Sequence, residues 1–467
     1  MAVSTSLPHF PDLVMHQIIL RLPTKPAIRM SSLSKQWEGV WSALHVLDFD
    51  EGDLPHGNDD NDHHTKFINI LVRYLEFRKK DKQQPVLDKF RLCMMSYMFG
   101  EDDSVIAKLL SNSFQRNVKE LDVSLRSKDK EVNWYYCLSP GALVNAKSIT
   151  ALNLEYLMIK DIDSAETEPL CPSLKILSLK NVHFNPKAFL DLILGCPSVK
   201  YLSLTSCSFD PPVFQISSSS LRSLEVKNCN AQSLLVDRAR DLESFTFVSN
   251  FLLLETIILK DTVNLKKIKM RAQHLKYFGL LGCHNNLNAT VSTPNLHQFD
   301  VFACLTSKVS INAPNLCLAR ITLREEEYST FNREWKHFAT FSDFLKAFGC
   351  SNNIILYISD FKSIIFPENF KGACYPPLRI LRRLHLGMIN PPTEETDVSD
   401  LEDSLLWMAP NAEERIYYPN SLQLLMANPP TEEMDIPYLE MSLLWMAPTP
   451  EERLYADLER MQYHMRL

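Results

Sequence analysis

Three histidines in the acidic segment from Glu51 to His64 are the residues of this 467-residue chain whose side chains most clearly suggest a chemical role. His56, His63 and His64 stand beside aspartates, and imidazole together with carboxylate is a common donor set for divalent metals. The histidines follow no regular ligand spacing, and the Gly, Pro, Asn and Asp content of EGDLPHGNDDNDHH is typical of a loop. We therefore predict a flexible, solvated loop without a metal site, and no cofactor.

The nucleophilic side chains do not form an enzymatic motif. The 11 cysteines are spread singly between Cys93 and Cys374, without the CxxC pairs of a zinc ribbon. The sequence contains no GxSxG elbow, no P-loop and no HExxH helix, and 11 glycines leave few candidates for a phosphate cradle. These features predict a protein that is not an enzyme and whose cysteines are mostly free, buried thiols.

The N-terminal segment has the pattern of a module that docks on a partner. Three short helices are predicted between Phe10 and Glu51, the first of them ending at Pro23. The third places Trp37 and Trp41 on one face, because residues i and i+4 are neighbours on a helix. About 40 residues are too few to form a stable core alone, so we expect exposed apolar surface and association with a partner.

The segment after the acidic loop predicts one further helix. Apolar residues follow helical spacing from Phe67 to Leu75, and the pattern ends in Arg78, Lys79 and Lys80, which suit the carboxyl end of a helix. We interpret this helix as a brace between the N-terminal module and the rest of the chain.

The middle of the chain repeats the pattern L-x-x-L-x-L. Most successive repeats start 20 to 25 residues apart, which is the period of leucine-rich repeats. The starts are Val118, Ile149, Leu174, Val199, Leu221, Leu242, Leu275, Leu296 and Leu316, with a further candidate at Leu265. Because strand side chains alternate, the first, fourth and sixth residues should face a core and the fifth should face outward. Stacked units of this kind predict a curved solenoid with a parallel sheet on its concave face.

The outward fifth position of the repeats defines a polar row. This row is either a binding surface for a target protein or a solvated sheet face, and the sequence favours neither. The residues that we predict as candidates for target binding are Asp122, Asn153, Ser178, Ser203, Glu225, Thr246, Asp300 and Arg320. Gly279 holds the same position in the row, between Thr246 and Asp300. Four cysteines follow the sixth position by three residues and are expected to bond turn backbone, namely Cys207, Cys229, Cys283 and Cys304.

The C-terminal region contains a tandem duplication. Residues 390–417 and 428–455 are identical at 20 of 28 positions, and each copy carries a Leu-Leu-Trp-Met segment predicted on a short helix. From Asn390 onward there are 16 acidic and 4 basic residues. We predict one copy as the cap of the repeat array and the other as an extra copy, since terminal repeats need a polar outer face.

The N-terminal residues resemble a plant-type F-box. The matching motifs, in order, are Phe10-Pro11-Asp12, Ile18-Ile19, Leu22-Pro23-Thr24-Lys25, Leu33-Ser34-Lys35 with Trp37, and a closing strand from Val46 to Glu51. The resemblance implies that this module binds the Skp-type adaptor of a cullin-RING ubiquitin ligase. It implies adaptor contacts for Phe10, Pro11, Leu13, Ile18, Ile19, Leu22, Pro23, Leu33, Ser34, Trp37 and Trp41.

The chain as a whole resembles plant F-box proteins with leucine-rich repeats. We therefore predict an α/β solenoid, a leucine-rich-repeat horseshoe with an N-terminal three-helix F-box. The predicted segments are an F-box at 5–50, an acidic loop and bracing helix at 51–85, the repeat array at 86–389 and the duplicated acidic units at 390–467.

This organisation predicts the substrate-recognition subunit of an SCF-type ubiquitin ligase, linked to the cullin through the adaptor and presenting an unknown target protein. The alternative is a non-ligase scaffold in which the repeats bind a protein alone. A net charge of -7 without a clustered basic face argues against nucleic acid as a partner. The absence of a long apolar run and of a signal peptide argues against a membrane and predicts an intracellular protein, nuclear or cytoplasmic.

Overall fold

The computed structural model describes residues 44–53, 60–80, 86–127, 135–138, 143–160, 169–282, 286–324 and 335–418. It also describes the single positions Pro11, Val14, Gln17, Ile18, Thr24 and Pro26. The chain forms two compact units, which are described separately below. The first unit comprises Met1–His297 with Ser307–Pro314, and the second comprises Gln298–Thr306 with Asn315–Leu467.

Short strands dominate both units. In chain order the strands are β1 Val46–Asp50, β2 Lys89–Tyr97, β3 Glu120–Ser127, β4 Tyr136–Leu138, β5 Ala151–Glu155, β6 Leu157–Ile159, β7 Ile176–Lys180, β8 His183–Phe184, β9 Tyr201–Thr205, β10 Ser208–Phe209, β11 Val213–Ser217, β12 Ser223–Lys227, β13 Ser233–Asp237, β14 Ser244–Ser249, β15 Thr256–Lys260, β16 Lys267–Ala272, β17 Tyr277–Leu281, β18 Asn288–Ser292, β19 Gln298–Cys304, β20 Lys308–Asn312, β21 Leu318–Arg324, β22 Asn353–Asp360, β23 Arg383–Asn390 and β24 Glu414–Tyr418. The α-helices are α1 Asp60–Lys80, α2 Asp103–Gln115, α3 Pro186–Leu194, α4 Trp335–Lys346, α5 Glu368–Ala373 and α6 Glu395–Met408.

One long parallel sheet organises the first unit. Its strand order is β1-β2-β3-β5-β7-β9-β12-β14-β16-β18-β20. Side chains alternate as predicted: in β12, Leu224 and Val226 are buried, whereas Ser223, Glu225 and Lys227 point away from the core. This alternation follows from the two-residue period of a strand, so each repeat buries two apolar residues from its strand. We call the polar surface of this sheet its outer face.

A second set of strands lies on the return path of each repeat. In the first part of the unit these strands are short, in the order β10-β8-β6-β4, and from residue 213 onward they lengthen into the parallel series β11, β13, β15 and β17. Aromatic rings fill the core where the series meet, and the rings of Phe209 and Phe214 stack at 4.0 Å. Each later repeat therefore contributes two strands, one to each series.

The strands of the long sheet end in a recurring left-handed turn. Tyr156, Asn181, Ser206 and Asn228 each follow a strand and have φ between 50° and 57°. The N–H of Asn181 donates to the carbonyl of Thr205 at 2.9 Å, and the N–H of Ser206 donates to the carbonyl of Lys227 at 2.8 Å. Each turn is thus bonded to the equivalent turn of the next repeat, which satisfies backbone groups that the strand pairing leaves free.

The second unit contains a parallel sheet and an aromatic cluster. The sheet has the order β19-β21-β22-β23-β24. Phe338, Phe366 and Phe370 form what we call the aromatic platform, with neighbouring ring centroids 5.3 to 6.0 Å apart. Trp407 of α6 packs against it, 4.8 Å from the ring of Phe366, and Ser404 Oγ accepts a 3.0 Å hydrogen bond from the N–H of Phe366.

The α/β leucine-rich-repeat class is confirmed by these stacked parallel strands. Helix α3 follows the short strand at Phe184, and Asn185 caps it by accepting a 2.6 Å hydrogen bond from the N–H of Ala188. The predicted three helices of the F-box lie outside the described residues, apart from the single positions named above. The second C-terminal copy also lies outside them, whereas the first copy follows β23 and forms α6 and most of β24.

The structure differs in part from the predictions for the acidic loop and for the cysteines. The loop predicted from Glu51 to His64 is wrong at its end, because α1 begins at Asp60 and His64 is 3% exposed. The ten cysteines that the structure describes are free thiols, as predicted, but only half of them are buried, namely Cys171, Cys196, Cys207, Cys229 and Cys304. Within the described residues, no helix is both long and apolar enough to cross a membrane.

Candidate functional site

The strand that closes the N-terminal module is also the first strand of the long sheet. β1 pairs in parallel with β2, and Asp48 lies opposite Arg91 in the register. The Arg91 guanidinium donates to Asp48 at 2.9 Å and to Asp50 at 2.7 Å. Burial disfavours the charged guanidinium, but the two carboxylates outweigh this effect and raise the pKa of Arg91. The sheet therefore includes a strand that we predicted only as the end of the F-box.

Thr24 connects the helical part of the N-terminal module to this strand. Its side chain is buried, and its hydroxyl oxygen accepts a 2.7 Å hydrogen bond from the backbone N–H of Asp48. The hydroxyl also donates to the carbonyl oxygen of Val46 at 3.5 Å. The sequence gives no sign of this contact, which joins residues 24 positions apart.

A buried ionic cluster fastens the end of β1 to the bracing helix. His64 Nδ1 lies 2.8 Å from Glu51 Oε1, and its Nε2 lies 3.1 Å from Asp102 Oδ2. The second Glu51 oxygen accepts hydrogen bonds from the N–H groups of Met95 and Ser96. Burial alone would lower the pKa of His64, but the two carboxylates raise it to about 9, so the imidazolium is the stable form at neutral pH.

His64 and Glu51 of this cluster belong to the acidic segment in which we considered a metal site. Of the histidines considered there, His64 has both ring nitrogens within hydrogen-bonding distance of carboxylates, those of Glu51 and Asp102. Among the residues that the structure describes, no three His, Cys, Asp or Glu side chains are grouped as a metal site.

Arg116 supports the same junction from the other side. It is 1% exposed, and its guanidinium donates to the carbonyl oxygen of Leu44 at 3.0 Å, just before β1. The N–H of Leu87, just before β2, donates to the carbonyl of Arg116. A buried arginine with a backbone partner fixes chain position, and no sequence pattern identified Arg116 in advance.

Most of the predicted adaptor contacts cannot be placed. Phe10, Leu13, Ile19, Leu22, Pro23, Leu33, Ser34, Trp37 and Trp41 lie outside the described residues. Of the remaining two, Pro11 is exposed and Ile18 is partly buried. Val14, between them in sequence, is 43% exposed. These apolar positions therefore stay predictions as an adaptor surface.

The structure corrects the predicted outward row, which it divides between two series of strands. The members that share the outer face of the long sheet, in register, are Asp122, Asn153, Ser178, Ser203, Glu225 and Thr246. Beyond Thr246 this row continues through Lys269, Thr290 and Ser310, none of which we predicted. Gly279 belongs instead to β17 of the return series.

The last two members of the predicted row lie in the second unit. Asp300 and Arg320 face each other on β19 and β21, with 3.5 Å between the guanidinium and a carboxylate oxygen. Gln298 donates to the same carboxylate at 3.0 Å. The motifs at Leu275, Leu296 and Leu316 resemble the earlier ones, because both strands of a repeat have the same alternation of buried and outward side chains. The eight predicted residues therefore do not all belong to one hydrogen-bonded series of strands.

The predicted role of the turn cysteines is supported for Cys207 and Cys229. Cys207 Sγ lies 3.3 Å from the carbonyl oxygen of Leu179, and Cys229 Sγ lies 3.5 Å from that of Lys227, both within turns of the long sheet. Cys304 is buried in β19, and Cys283 lies outside the described residues. The pKa of the Cys229 thiol is raised, mainly by its contact with Cys207 and by burial, so it is not a reactive thiolate.

Comparisons with known proteins agree with this architecture. A family model for the F-box domain matches residues 7–48, which include the first residues of β1. A model described as the LRR repeats of FBD-associated F-box protein At5g56370 matches residues 106–292.

Relatives in Arabidopsis thaliana carry the same two elements in their names. The putative F-box/FBD/LRR-repeat protein At5g22610 is 26% identical over 228 residues, which are 48% of this chain and 42% of that protein. F-box/FBD/LRR-repeat protein At2g26030 is 28% identical over 281 residues, or 58% of each chain. The chain thus spans about half the length of the curated relatives it matches. With an F-box match that ends on the first strand of a leucine-rich-repeat sheet, the chain combines the two elements of the plant F-box proteins with leucine-rich repeats to which it is similar.

Proposed function

We propose that this chain is the substrate-recognition subunit of an SCF-type cullin-RING ubiquitin ligase. In this proposal the F-box binds a Skp-type adaptor and, through it, the cullin, while the outer face of the long sheet binds a target protein. The chain itself forms and breaks no covalent bond. Its contribution is proximity, because holding the target and a ubiquitin-charged enzyme in one assembly raises their effective concentration. It would act in the nucleus or the cytoplasm.

The observation that carries the proposal is the continuity between the F-box match and the repeat sheet. β1 is hydrogen-bonded into the sheet, and Thr24, Arg116 and the cluster around His64 hold it from three sides. A target bound to the outer face would therefore keep a fixed position relative to the adaptor. Such a fixed distance is useful to a ligase, because a misplaced acceptor group loses the gain from proximity.

The properties of the outer face are compatible with a protein partner. Its rows are polar and charged, and exposed apolar residues occur among them at Ile176 and Tyr201, which are 45% and 51% exposed. These two residues lie opposite each other on β7 and β9. Aromatic and aliphatic side chains surrounded by polar groups are the usual composition of a protein interface.

Co-purification with a Skp-type adaptor tests the proposal. The full chain and the double variant Leu22→Asp, Trp37→Ala would each be expressed with the adaptor, and the amount of adaptor retained would be measured. We expect retention by the unaltered chain and a loss of at least tenfold in the double variant, because a carboxylate and a truncated aromatic would interrupt an apolar interface.

A matched control separates this effect from a general loss of apolar surface. Leu252 is 76% exposed and Phe251 is 40% exposed, on the loop between β14 and β15. The double variant Leu252→Asp, Phe251→Ala should retain the adaptor fully. If the unaltered chain binds no adaptor, or if Leu22→Asp with Trp37→Ala changes nothing, the alternative of a non-ligase repeat scaffold replaces the ligase proposal.

A further inference from the structure

Most cations on the outer face of the long sheet are neutralised in its first part. Between β2 and β12 four outward lysines and arginines have a carboxylate partner on the same face, whereas Arg126 of β3 lies 5.8 Å from the ring centroid of Tyr156. These pairs are Lys89 with Glu120 at 3.7 Å, Arg91 with Asp48 at 2.9 Å, Lys180 with Glu155 at 2.6 Å and Lys227 with Glu225 at 2.6 Å. Over these strands the face carries cations but little unbalanced positive charge.

The pattern changes at β16. Lys267, Lys269 and Arg271 are all exposed and point outward, since the alternate residues of the strand, Ile268, Met270 and Ala272, are buried. Lys308 projects from the same face two strands further on. Within the part of the chain that the structure describes, none of these four cations forms an ion pair at 4.0 Å or less. We call them the cationic end of the sheet.

Uncharged hydrogen-bonding residues flank two of these cations, Lys267 and Lys269, on both neighbouring strands. In the register of the sheet, Thr246 and Thr290 lie on either side of Lys269. Ser244 and Asn288 lie on either side of Lys267 in the same way. Neighbouring strands are about 4.8 Å apart, and alternate residues of one strand are about 6.6 Å apart. The spacing gives an extended acidic segment a carboxylate site over each cation and hydroxyl or amide donors on the two neighbouring strands.

Protection of a sheet edge does not explain this cluster. Lysines are common on edge strands, where they prevent pairing with another chain, and Lys308 on the terminal strand β20 fits that role. β16 is not an edge strand, because β14 and β18 pair with both of its sides. Three like charges on one interior strand repel one another, so the arrangement gains most from a partner that brings negative charge.

We propose that the cationic end binds an acidic, extended segment of a target polypeptide. This inference rests on the proposed function, in which the outer face is the target-binding surface, and it names the chemistry of the target. The other end of the face has the opposite character, because Asp48, Asp50 and Asp122 surround the single guanidinium of Arg91. The face is therefore polarised, and a target would place its acidic segment away from β1.

Fluorescence anisotropy with a defined probe tests the inference. The probe is a fluorescein-labelled dodecapeptide of alternating glutamate and serine, titrated with the full chain and with the variant Lys267→Glu, Lys269→Glu, Arg271→Glu. We expect the reversal variant to raise the Kd at least tenfold, and a rise in salt to weaken binding by the unaltered chain. The same peptide with lysine in place of glutamate should not bind this end.

A control of equal charge change locates the effect. Lys108 on α2, Lys187 on α3 and Arg240 are exposed cations that do not belong to the outer face. Their triple reversal to glutamate should change the Kd less than twofold, and an equal effect of both triple variants would overturn the proposal. Tighter binding of a single-stranded RNA dodecamer than of the acidic peptide would also overturn it, as would binding of the peptide only after removal of residues 419–467.

Adaptor capture by the same preparations keeps the two proposals separate. The triple reversal leaves the F-box unchanged, so it should retain the adaptor while it loses the peptide. If the adaptor is not captured by any variant but the peptide binds as expected, the ligase proposal fails and the acidic-ligand site remains. If the adaptor is captured and the peptide is not bound, only the acidic-ligand site is rejected.

Discussion

Thr24 and Asp48 are joined by a hydrogen bond of 2.7 Å, from the backbone N–H of Asp48 to the hydroxyl oxygen of Thr24. Thr24 lies within the F-box match, and Asp48 lies on the first strand of the repeat sheet. The bond is short and Thr24 is only 3% exposed. The two parts of the chain thus share a buried polar contact, and its removal would leave a backbone donor unsatisfied.

Thr24→Val should weaken this junction. The substitution keeps the shape of the side chain but removes the oxygen that accepts from Asp48, so we expect the free energy of unfolding to fall by about 1–3 kcal/mol. Urea unfolding followed by circular dichroism measures the change. Thr24→Ser retains the hydroxyl and should lose less than half as much. An equal loss in both variants would mean that the methyl group, and not the hydrogen bond, stabilises the junction.

The Glu51–His64–Asp102 cluster should make stability depend on pH above neutrality. The pKa of His64 is raised from 6.5 to about 9, so the folded state holds a proton that the unfolded chain releases. Its contribution is complete below pH 6.5 and is lost as the pH rises through about 9. A shift of this size corresponds to about 3 kcal/mol. Urea unfolding at intervals from pH 6 to pH 10 should show this decline.

His64→Gln should remove the decline and lower stability at neutral pH. The amide cannot carry the positive charge that Glu51 and Asp102 share, so two buried carboxylates would lose their counter-ion, at a cost of about 3–5 kcal/mol. His297→Gln provides the matched control, because His297 is exposed. A profile of His64→Gln that still falls between pH 6.5 and pH 9 would assign the effect to another group.

The period and polarity of the repeats could be predicted from sequence, whereas the number of strands in each repeat could not. β14 and β15 have the same alternation of buried and outward residues, although they belong to different series. A signal was present: the motifs at Leu254, Leu275, Leu296 and Leu316 form their own series at intervals of 21, 21 and 20 residues. This series begins between the motifs at Leu242 and Leu265. Only the strands with which its members pair distinguish it from the series that forms the long sheet.

The junction was harder to predict because its contacts are distant in sequence. His64 binds Glu51 across 13 residues and Asp102 across 38, and Arg116 reaches Leu44 across 72. Local composition at the acidic segment favours a loop, since it contains Gly, Pro and Asn. The helix nevertheless begins at Asp60, where acidic residues interact favourably with the helix N-terminus.

The left-handed turn at Ser206 should tolerate glycine but not a branched side chain. Ser206 has φ of 51°, a conformation that costs a non-glycine residue about 1–2 kcal/mol. Ser206→Gly should therefore keep or raise the free energy of unfolding, and Ser206→Val should lower it by about 1–2 kcal/mol. Ser203→Val is the control, because Ser203 lies in β9 and valine suits an extended strand. Equal losses for the two valine variants would show that the turn is not strained.

The two C-terminal copies should differ in their contribution to the second unit. Trp407 packs on the aromatic platform, 4.8 Å from the ring of Phe366 and 5.9 Å from that of Phe370. Trp445 is the equivalent residue of the second copy, 38 positions later. Because α6 of the first copy already covers the platform, we expect Trp407→Ala to lower the free energy of unfolding by about 3 kcal/mol and Trp445→Ala to leave it within about 0.5 kcal/mol.

Thermal and urea unfolding of the two tryptophan variants, measured in parallel on the full chain, check this difference. Leu406→Ala serves as a second control within the first copy, because Leu406 is 51% exposed beside Trp407 and should lose little. A loss in Trp445→Ala as large as that in Trp407→Ala would mean that both copies contribute to one packed unit. In that case the second copy would be a structural repeat and not an additional segment.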